Sequence, residues 1–303
     1  MHSQNENGWT PLHSASWYGR FDIAGLLLDH GATSNSKDDF SRTPLHLVAG
    51  SIYNVEQDRV RVVHLLLERG ADVNARDEGD ATPLNWASFG GKIAIVRVLL
   101  DHGAAVDSKG YQDRTPLHSA AEGRCLYPDS EGDGIGIAQL LMEHGADANA
   151  QDEEHLTPLH LASYNGAIEI ARELLDGGAH ANSKSIHGRT PLHTVAEGGD
   201  YYSRNNGVLV TQLLLERGAE VNVADVEGQT PLHLASYFGK AWMVQELLDV
   251  GADSDAKNAQ GQTPFDLALQ NPQLASDVVI ATLCNFTMNT YSSFHYEELG
   301  KRT

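Results

Sequence analysis

The chain is poor in the residues that several protein classes require. Its 303 residues include two cysteines, Cys125 and Cys284. Two thiols cannot build a disulfide framework, and no CxxC pair or His/Cys cluster offers a zinc site. Such usage fits a reducing compartment. Cations are scarce: 21 Lys and Arg stand against 41 Asp and Glu, a formal net charge of −20. Phosphate neutralisation needs clustered cations, so neither nucleic acid nor a polybasic contact with a membrane surface is expected. Long apolar runs are missing too. Stretches such as Val62–Leu67 fall far short of the ~20 residues of a bilayer span, so no membrane insertion is expected. The opening Met-His-Ser-Gln-Asn-Glu-Asn-Gly has neither the cationic start nor the apolar core of a secretory leader. The sequon Asn285-Phe286-Thr287 would matter only in a secreted chain. A cytoplasmic or nuclear location is expected.

What is present is ordinary in amount and unusual in order. Apolar content of 41% and charged content of 20% suit a folded chain, and length alone suggests about two domains. Self-similarity then decides the architecture. Thr-Pro-Leu-His begins at Thr10, Thr43, Thr115, Thr157, Thr190 and Thr230, with variants Thr-Pro-Leu-Asn at Thr82 and Thr-Pro-Phe-Asp at Thr263. The eight anchors are spaced by 33, 39, 33, 42, 33, 40 and 33 residues. Thr is a good N-cap, and Pro at the first helical position gives up only an amide that had no partner. A short helix therefore starts at each anchor. A glycine such as Gly19, Gly91, Gly166 or Gly239 stops it. A second helix follows, with apolar residues at helical spacing (Ile23, Leu26, Leu27; Val244, Leu247, Leu248), and it closes in Gly-Ala and a polar turn. Neither helix would be stable alone. Each buried leucine contributes about 1.5–3 kcal/mol only if a neighbouring repeat covers it, so the repeats must stack.

These residues resemble the ankyrin repeat. The Gly-x-Thr-Pro-Leu-His start, the Leu-Leu-x-x-Gly-Ala close and the 33-residue step carry the likeness from about Gly8 to Ala281. The resemblance implies an all-α repeat solenoid, a stack of helix-turn-helix units with projecting β-turn fingers. Eight repeats would occupy residues 1–283 and a tail residues 284–303. Fingers and first helices would line a concave groove that holds a protein partner, with second helices behind. A monomer without metal or cofactor, and without enzymatic activity, is expected. The terminal repeat departs from the pattern at Phe265-Asp266, with its second helix expected at about Leu274–Leu283.

Every second repeat is longer. The excess over 33 is 6, 9 and 7 residues, assigned to polar surface loops at about Ser51–Arg59, Arg124–Gly134 and Gly199–Gly207. Each holds tyrosine: Tyr53, Tyr127, and the pair Tyr201 and Tyr202. Fingers alternate with the same period. Those of repeats 2, 4 and 6 carry Lys37 and Arg42, Lys109 and Arg114, and Lys184 and Arg189. Those of repeats 3, 5 and 7 carry Asp77, Glu78 and Asp80, then Asp152, Glu153 and Glu154, then Asp225 and Glu227. First helices of odd repeats end in small-Ser-aromatic, giving Trp17, Phe89, Tyr164 and Tyr237, with Tyr18 and Phe238 one residue on. Three features with one period point to a duplicated two-repeat block, its insertions forming parallel flaps beside the groove.

The candidate partner-binding residues are thus Trp17, Tyr18, Phe89, Tyr164, Tyr237 and Phe238, the insertion tyrosines, and the finger lysines Lys37, Lys109 and Lys184. Aromatic side chains favour both interface hot spots and packing beneath an insertion. Finger charges favour either a partner of alternating charge or pairing between fingers, Arg42 or Arg114 with a neighbouring Asp. The net charge favours a partner with a basic patch. A second function is an enzyme or small-molecule binder, its pocket between the insertions and the aromatic helix ends. Histidines number 15. His13, His46, His118, His160, His193 and His233 belong to the anchor, and the resemblance implies that they bond backbone across repeats. His30, His102 and His144 end second helices, where a cap role suffices. A Cys125–His118 dyad and cation binding by Asp129, Glu131 and Asp133 are weaker alternatives.

Overall fold

The computed structural model describes residues 4–51, 56–122, 131–198, 204–271 and 278–284. These residues contain helices and no strand. The chain forms two compact halves, Met1–Glu153 and Glu154–Thr303.

In the first half the helices are α1 Pro11–Trp17, α2 Phe21–Asp29, α3 Pro44–Gly50, α4 Glu56–Glu68, α5 Pro83–Phe89, α6 Ile93–Asp101, α7 Pro116–Glu122 and α8 Glu131–Glu143. In the second half they are α9 Pro158–Asn165, α10 Ile168–Asp176, α11 Pro191–Glu197, α12 Arg204–Glu216, α13 Pro231–Tyr237, α14 Ala241–Asp249, α15 Pro264–Gln270 and α16, residues 278–284. Odd-numbered helices are the first of each repeat. Within each half they stack on one another (α1 on α3 on α5 on α7; α9 on α11 on α13 on α15), and in repeats 1 to 7 each packs on the second helix of its own repeat. The anchor leucines Leu12, Leu45, Leu84, Leu117, Leu159, Leu192 and Leu232 are all fully buried in this stack. A leucine-to-alanine change at such a site costs about 2–5 kcal/mol.

The anchor is a capping box with an unusual partner. The threonine N–H, an orphan donor of the helix start, donates to Nδ1 of the histidine three residues on: Thr10 to His13 (3.1 Å), Thr43 to His46 (3.1 Å), Thr190 to His193 (3.1 Å). Nδ1 must then be unprotonated, so the ring proton sits on Nε2. From there it donates to the carbonyl that ends the next finger: Arg42 from His13, Ala81 from His46, Arg189 from His160, Gln229 from His193 and Gln262 from His233, all at 3.0–3.1 Å. In repeat 3 the amide of Asn85 does both tasks, accepting from Thr82 N–H (3.0 Å) and donating to Arg114 (3.2 Å). In repeat 8 the carboxylate of Asp266 only accepts, from Thr263 N–H at 2.9 Å.

A second ladder runs where second helices end. The Asn35 amide donates to the Gly70 carbonyl and accepts from Asp72 N–H, both at 2.8 Å. Asn74, Asn182 and Asn222 repeat the pattern. Asp107 occupies the same place in repeat 4. It accepts from Asp147 N–H at 3.2 Å and has no proton to donate at neutral pH.

The insertions correct one expectation. Their last residues are helix, not surface loop. Second helices of repeats 2, 4 and 6 have 13 residues, those of repeats 1, 3, 5 and 7 have nine. Residues 56–59, 131–134 and 204–207 therefore add about one turn at the start of α4, α8 and α12. Arg59 is fully buried and donates to the Ser51 carbonyl, while Ser51 Oγ donates to the Trp17 carbonyl at 2.7 Å. At the corresponding place in repeat 6, Lys240 donates to the carbonyls of Val195 and Gly198. A Cβ on Gly198 would stand 2.2 Å from the Tyr164 carbonyl oxygen, so only glycine lets the chain pass there. Charge and close backbone contact thus fix the feet of these segments. The rest of each insertion, with Tyr53, Tyr127, Tyr201, Tyr202, Cys125 and Asp129, lies outside the described residues, as do the side chains of Glu131 and Asp133 and the tail from residue 285.

Candidate functional site

The fingers and first-helix ends present the candidate residues. Five of the fingers are tight turns closed by one side chain. Asp38 Oδ1 accepts from the N–H groups of Phe40 (3.0 Å) and Arg42 (2.9 Å). Asp77, Asp225 and Asn258 do the same in their fingers, and Ser185 Oγ accepts from Arg189 N–H. Three residues after that acceptor the backbone turns left-handed, at Ser41, Asp80, His155, Gly188, Gly228 and Gly261.

Neighbouring fingers are joined by one backbone rung. Asp39 N–H donates to Asn7 (3.3 Å), Glu78 to Phe40 (3.0 Å) and Glu153 to Gln112 (3.0 Å) in the first half. Ile186 donates to Glu154, Val226 to His187 and Ala259 to Glu227 in the second. Long side chains add a second row: Lys37 Nζ donates to the Arg76 carbonyl (3.2 Å), Arg76 to that of Lys109 (3.1 Å) and Lys109 to that of Gln151 (3.4 Å). Lys37 and Lys109 therefore brace neighbouring fingers, and all three finger lysines, Lys184 included, are exposed.

One rung is absent among the described residues. Nothing joins Tyr111 N–H to Gly79. The cause lies one residue earlier. Gly110 has no side chain with which to close its finger, and a Cβ there would lie 3.0 Å from Ala81 Cα. The tip becomes a single 3-10 turn, Tyr111–Asp113, with both Gln112 and Asp113 left-handed. Tyr111 is 70% exposed. Two clefts open beside it. One, of about 270 Å³, is lined by Trp86, Phe89, Tyr111, Arg114, Ser119 and Glu122. The other, of about 370 Å³, is lined by Arg76, Glu78, Asp80, Lys109, Asp113 and Glu153. Gly110 and Tyr111 border both.

The aromatic helix ends differ in exposure. Tyr164 is 47% exposed, Phe89 and Tyr237 38% each. Trp17 is half-buried and tilted against Trp9, ring centres 6.0 Å apart. Tyr18 is exposed, and Phe238 meets Tyr237 edge-on at 5.1 Å.

Finger arginines pair between repeats in two of three cases. Arg114 reaches Asp152 of the next finger (3.4 Å) and Glu122 (3.1 Å) at the end of its own first helix. Arg189 reaches Asp225 (3.4 Å) and Glu197 in the same way. Burial pushes the Glu197 carboxyl up, and Arg189 opposes that shift. Arg42 departs from the expectation and pairs with Asp38 of its own finger at 2.7 Å. Repeat 2 has Gly50 where the others have glutamate, and Trp86 fills the space. Its indole N–H donates to Asp77 Oδ2 at 2.9 Å, leaving that oxygen occupied.

Burial lowers the pKa of His13, His46, His193 and His233, that of His193 to about 4. These rings are neutral structural bonds at pH 7. His30, His102 and His144 place Nδ1 2.8–2.9 Å from the carbonyl four residues back, closing their helix ends. Among the described residues no group of three or more His, Cys, Asp and Glu could hold a metal, and no helix is long and apolar enough to cross a membrane.

Sequence reasoning missed Tyr111 and Trp86. The signals were Gly110, alone among the fingers from repeat 2 onward in lacking Asp, Ser or Asn at that place, and Gly50, alone among the long repeats in lacking glutamate or its pairing.

Stacked helix-turn-helix repeats with bonded turn fingers define a repeat protein whose broad faces are made of many small units. A family model described as ankyrin repeats in three copies matches residues 1–77, 51–127, 130–204 and 200–289, and the chain belongs to the ankyrin-repeat family. Comparison with curated proteins yields no significant match. Ankyrin repeats are generally protein–protein interaction modules, and the family is typically non-catalytic.

Proposed function

We propose that this chain is a non-catalytic scaffold that binds a protein partner through the groove face formed by fingers and first-helix ends. The observation that carries this reading is the exposure of Phe89, Tyr164 and Tyr237 at one repeat position, where even repeats have Gly50, Glu122 and Glu197. Exposed aromatic side chains on a braced surface lose little conformational entropy on binding. The net charge of −20 favours a partner with a basic patch. The module works as a monomer in the cytoplasm or nucleus. The enzyme or small-molecule alternative is less well supported. The cleft beside Phe89, at about 270 Å³, lies below the ~300–1,000 Å³ of most ligand pockets and suits one side chain of a partner; the neighbouring cleft, at about 370 Å³, is large enough but is lined by charged side chains where such pockets are mostly apolar.

The test is capture of partners from the native host, with mass spectrometry, by the wild type and by a chain carrying Trp17→Ala, Phe89→Ala, Tyr164→Ala and Tyr237→Ala. With helicity retained, loss of the principal captured protein is expected. An unchanged set of captured proteins removes the groove from this account.

A further inference from the structure

The break in the finger ladder is the most individual feature of the surface. Six rungs join neighbouring fingers within the two halves, and the seventh position, between Gly79 and Tyr111, carries no such bond among the described residues. The two clefts beside Tyr111 meet there. Their chemistry differs. The first has aromatic walls, Trp86, Phe89 and Tyr111, and the two charges in its lining, Arg114 and Glu122, are paired with each other at 3.1 Å. The second is acidic. Of its two cations, Arg76 lies 3.7 Å from Asp80 and Lys109 lies 2.9 Å from Asp113. Among the described residues, the two exposed carboxylates Glu78 and Glu153 form no ion pair with a cation.

We propose that the gap between the third and fourth fingers is the specificity site of this module. It takes a basic segment of the partner: an apolar side chain enters the Trp86/Phe89/Tyr111 cleft, and an adjacent lysine or arginine enters the acidic cleft between Glu78 and Glu153. Three observations fix the occupant. The aromatic cleft, at about 270 Å³, has room for one large side chain, and the acidic cleft, at about 370 Å³, has room for a long cationic side chain with its hydration; neither is large enough for a folded element. Both border Gly110 and Tyr111, so the two side chains must be close in the partner's sequence. The acidic lining carries a net charge of −2, from two cations and four carboxylates, and a cation there needs no rearrangement of existing pairs. Tyr111 lines both clefts, which places an aromatic side chain beside the cation the acidic cleft would take. The proposal rests on the reading of this face as the binding surface and names the chemistry that face selects.

The probe is acetyl-Leu-Arg-amide, with acetyl-Leu-Glu-amide as the charge-reversed control, titrated into the isotope-labelled full chain. Saturable amide shifts confined to Gly79, Gly110, Tyr111 and Glu153 are expected. Affinity should be at least fivefold weaker for the glutamate peptide, for the E78Q/E153Q double variant and for Tyr111→Ala. Equal affinity for the two peptides, or shifts scattered over the surface, overturns the proposal. So does a double variant that keeps its helicity and its affinity. The two levels separate cleanly. If the dipeptide fails while partner capture still depends on Tyr164 and Tyr237, only the gap site falls. If capture ignores those tyrosines as well, the groove reading falls with it.

Discussion

Trp86 lies directly over Gly50, so close that a Cβ on the glycine would stand 2.2 Å from Cε3 of the indole. This pair replaces an arrangement used twice elsewhere, in which Arg114 or Arg189 bridges a glutamate of its own helix and an aspartate of the next finger. With an indole in that space, Arg42 instead closes on Asp38 and lies over Phe40 at 4.7 Å. Gly50→Glu should destabilise the chain by about 2 kcal/mol through overpacking. Trp86→Leu should cost about the same, through a void and the lost bond to Asp77. Together they restore room for a carboxylate beside Arg42, so the double variant should be at least ~1 kcal/mol more stable than the sum of the single effects predicts. Urea titration of the four proteins measures this. Simple additivity would show that the two positions do not share one space.

Asp107 is the acidic member of an otherwise asparagine ladder. Its carboxyl is raised above the ordinary range by burial, and the hydrogen bond from Asp147 N–H opposes that shift. Asp107→Asn supplies the missing donor toward the end of α8, as Asn35 does for Gly70. A gain of about 1 kcal/mol is expected. Thermal unfolding at pH 7 decides, and a loss of stability would mean that the carboxylate has another partner.

Four serines repeat one anomaly. Ser16, Ser88, Ser163 and Ser236 are buried, and none of their hydroxyls has a hydrogen-bond partner. Even repeats have Ala49, Ala121 and Ala196 at the same place, also buried. Ser88→Ala or Ser236→Ala should therefore be stabilising by about 1 kcal/mol, because an unsatisfied hydroxyl is removed at little cost in volume. Chemical denaturation of each variant checks this. Destabilisation would point to a bound water or another role for the hydroxyl.

Acid should weaken the stack before it touches most carboxylates. The four depressed histidines bind protons more readily in the unfolded chain, where the ordinary value is about 6.5. Below that value the unfolded state takes up protons that the folded state refuses, so stability falls with pH until the folded rings titrate. For His193 the window runs from about 6.5 down to about 4. Its share of the loss is about 3 kcal/mol across that window. Unfolding midpoints at pH 7, 6, 5 and 4 should decline steadily, and His193→Asn should flatten the slope, since Asn85 shows that an amide can make both bonds. A midpoint independent of pH over this range would contradict the neutral-histidine linkage.

Much of this fold was legible in the sequence because each repeat states its rules separately. Thr-Pro marks a helix start and glycine marks a stop, and eight copies make chance agreement implausible. The insertions were only half legible. Their composition is polar, yet four residues of each lengthen a helix, because a second helix already in place offers a template and propagation is cheap once a nucleus exists. The finger lysines were legible as charge but not as braces, since the carbonyls they reach lie 39 and 42 residues away. The open rung beside Tyr111 could not be read from one finger alone. It follows from a missing acceptor at Gly110, a difference that shows only when the repeats are laid side by side.

The central claim is that partner recognition lies on fingers and first-helix ends. Hydrogen–deuterium exchange of the chain with and without its captured partner tests it most directly. Slowed exchange in residues 76–81 and 108–114 and at the ends of α5, α9 and α13, with the second helices unchanged, is the predicted result. Protection confined to α6, α10 and α14 would contradict it.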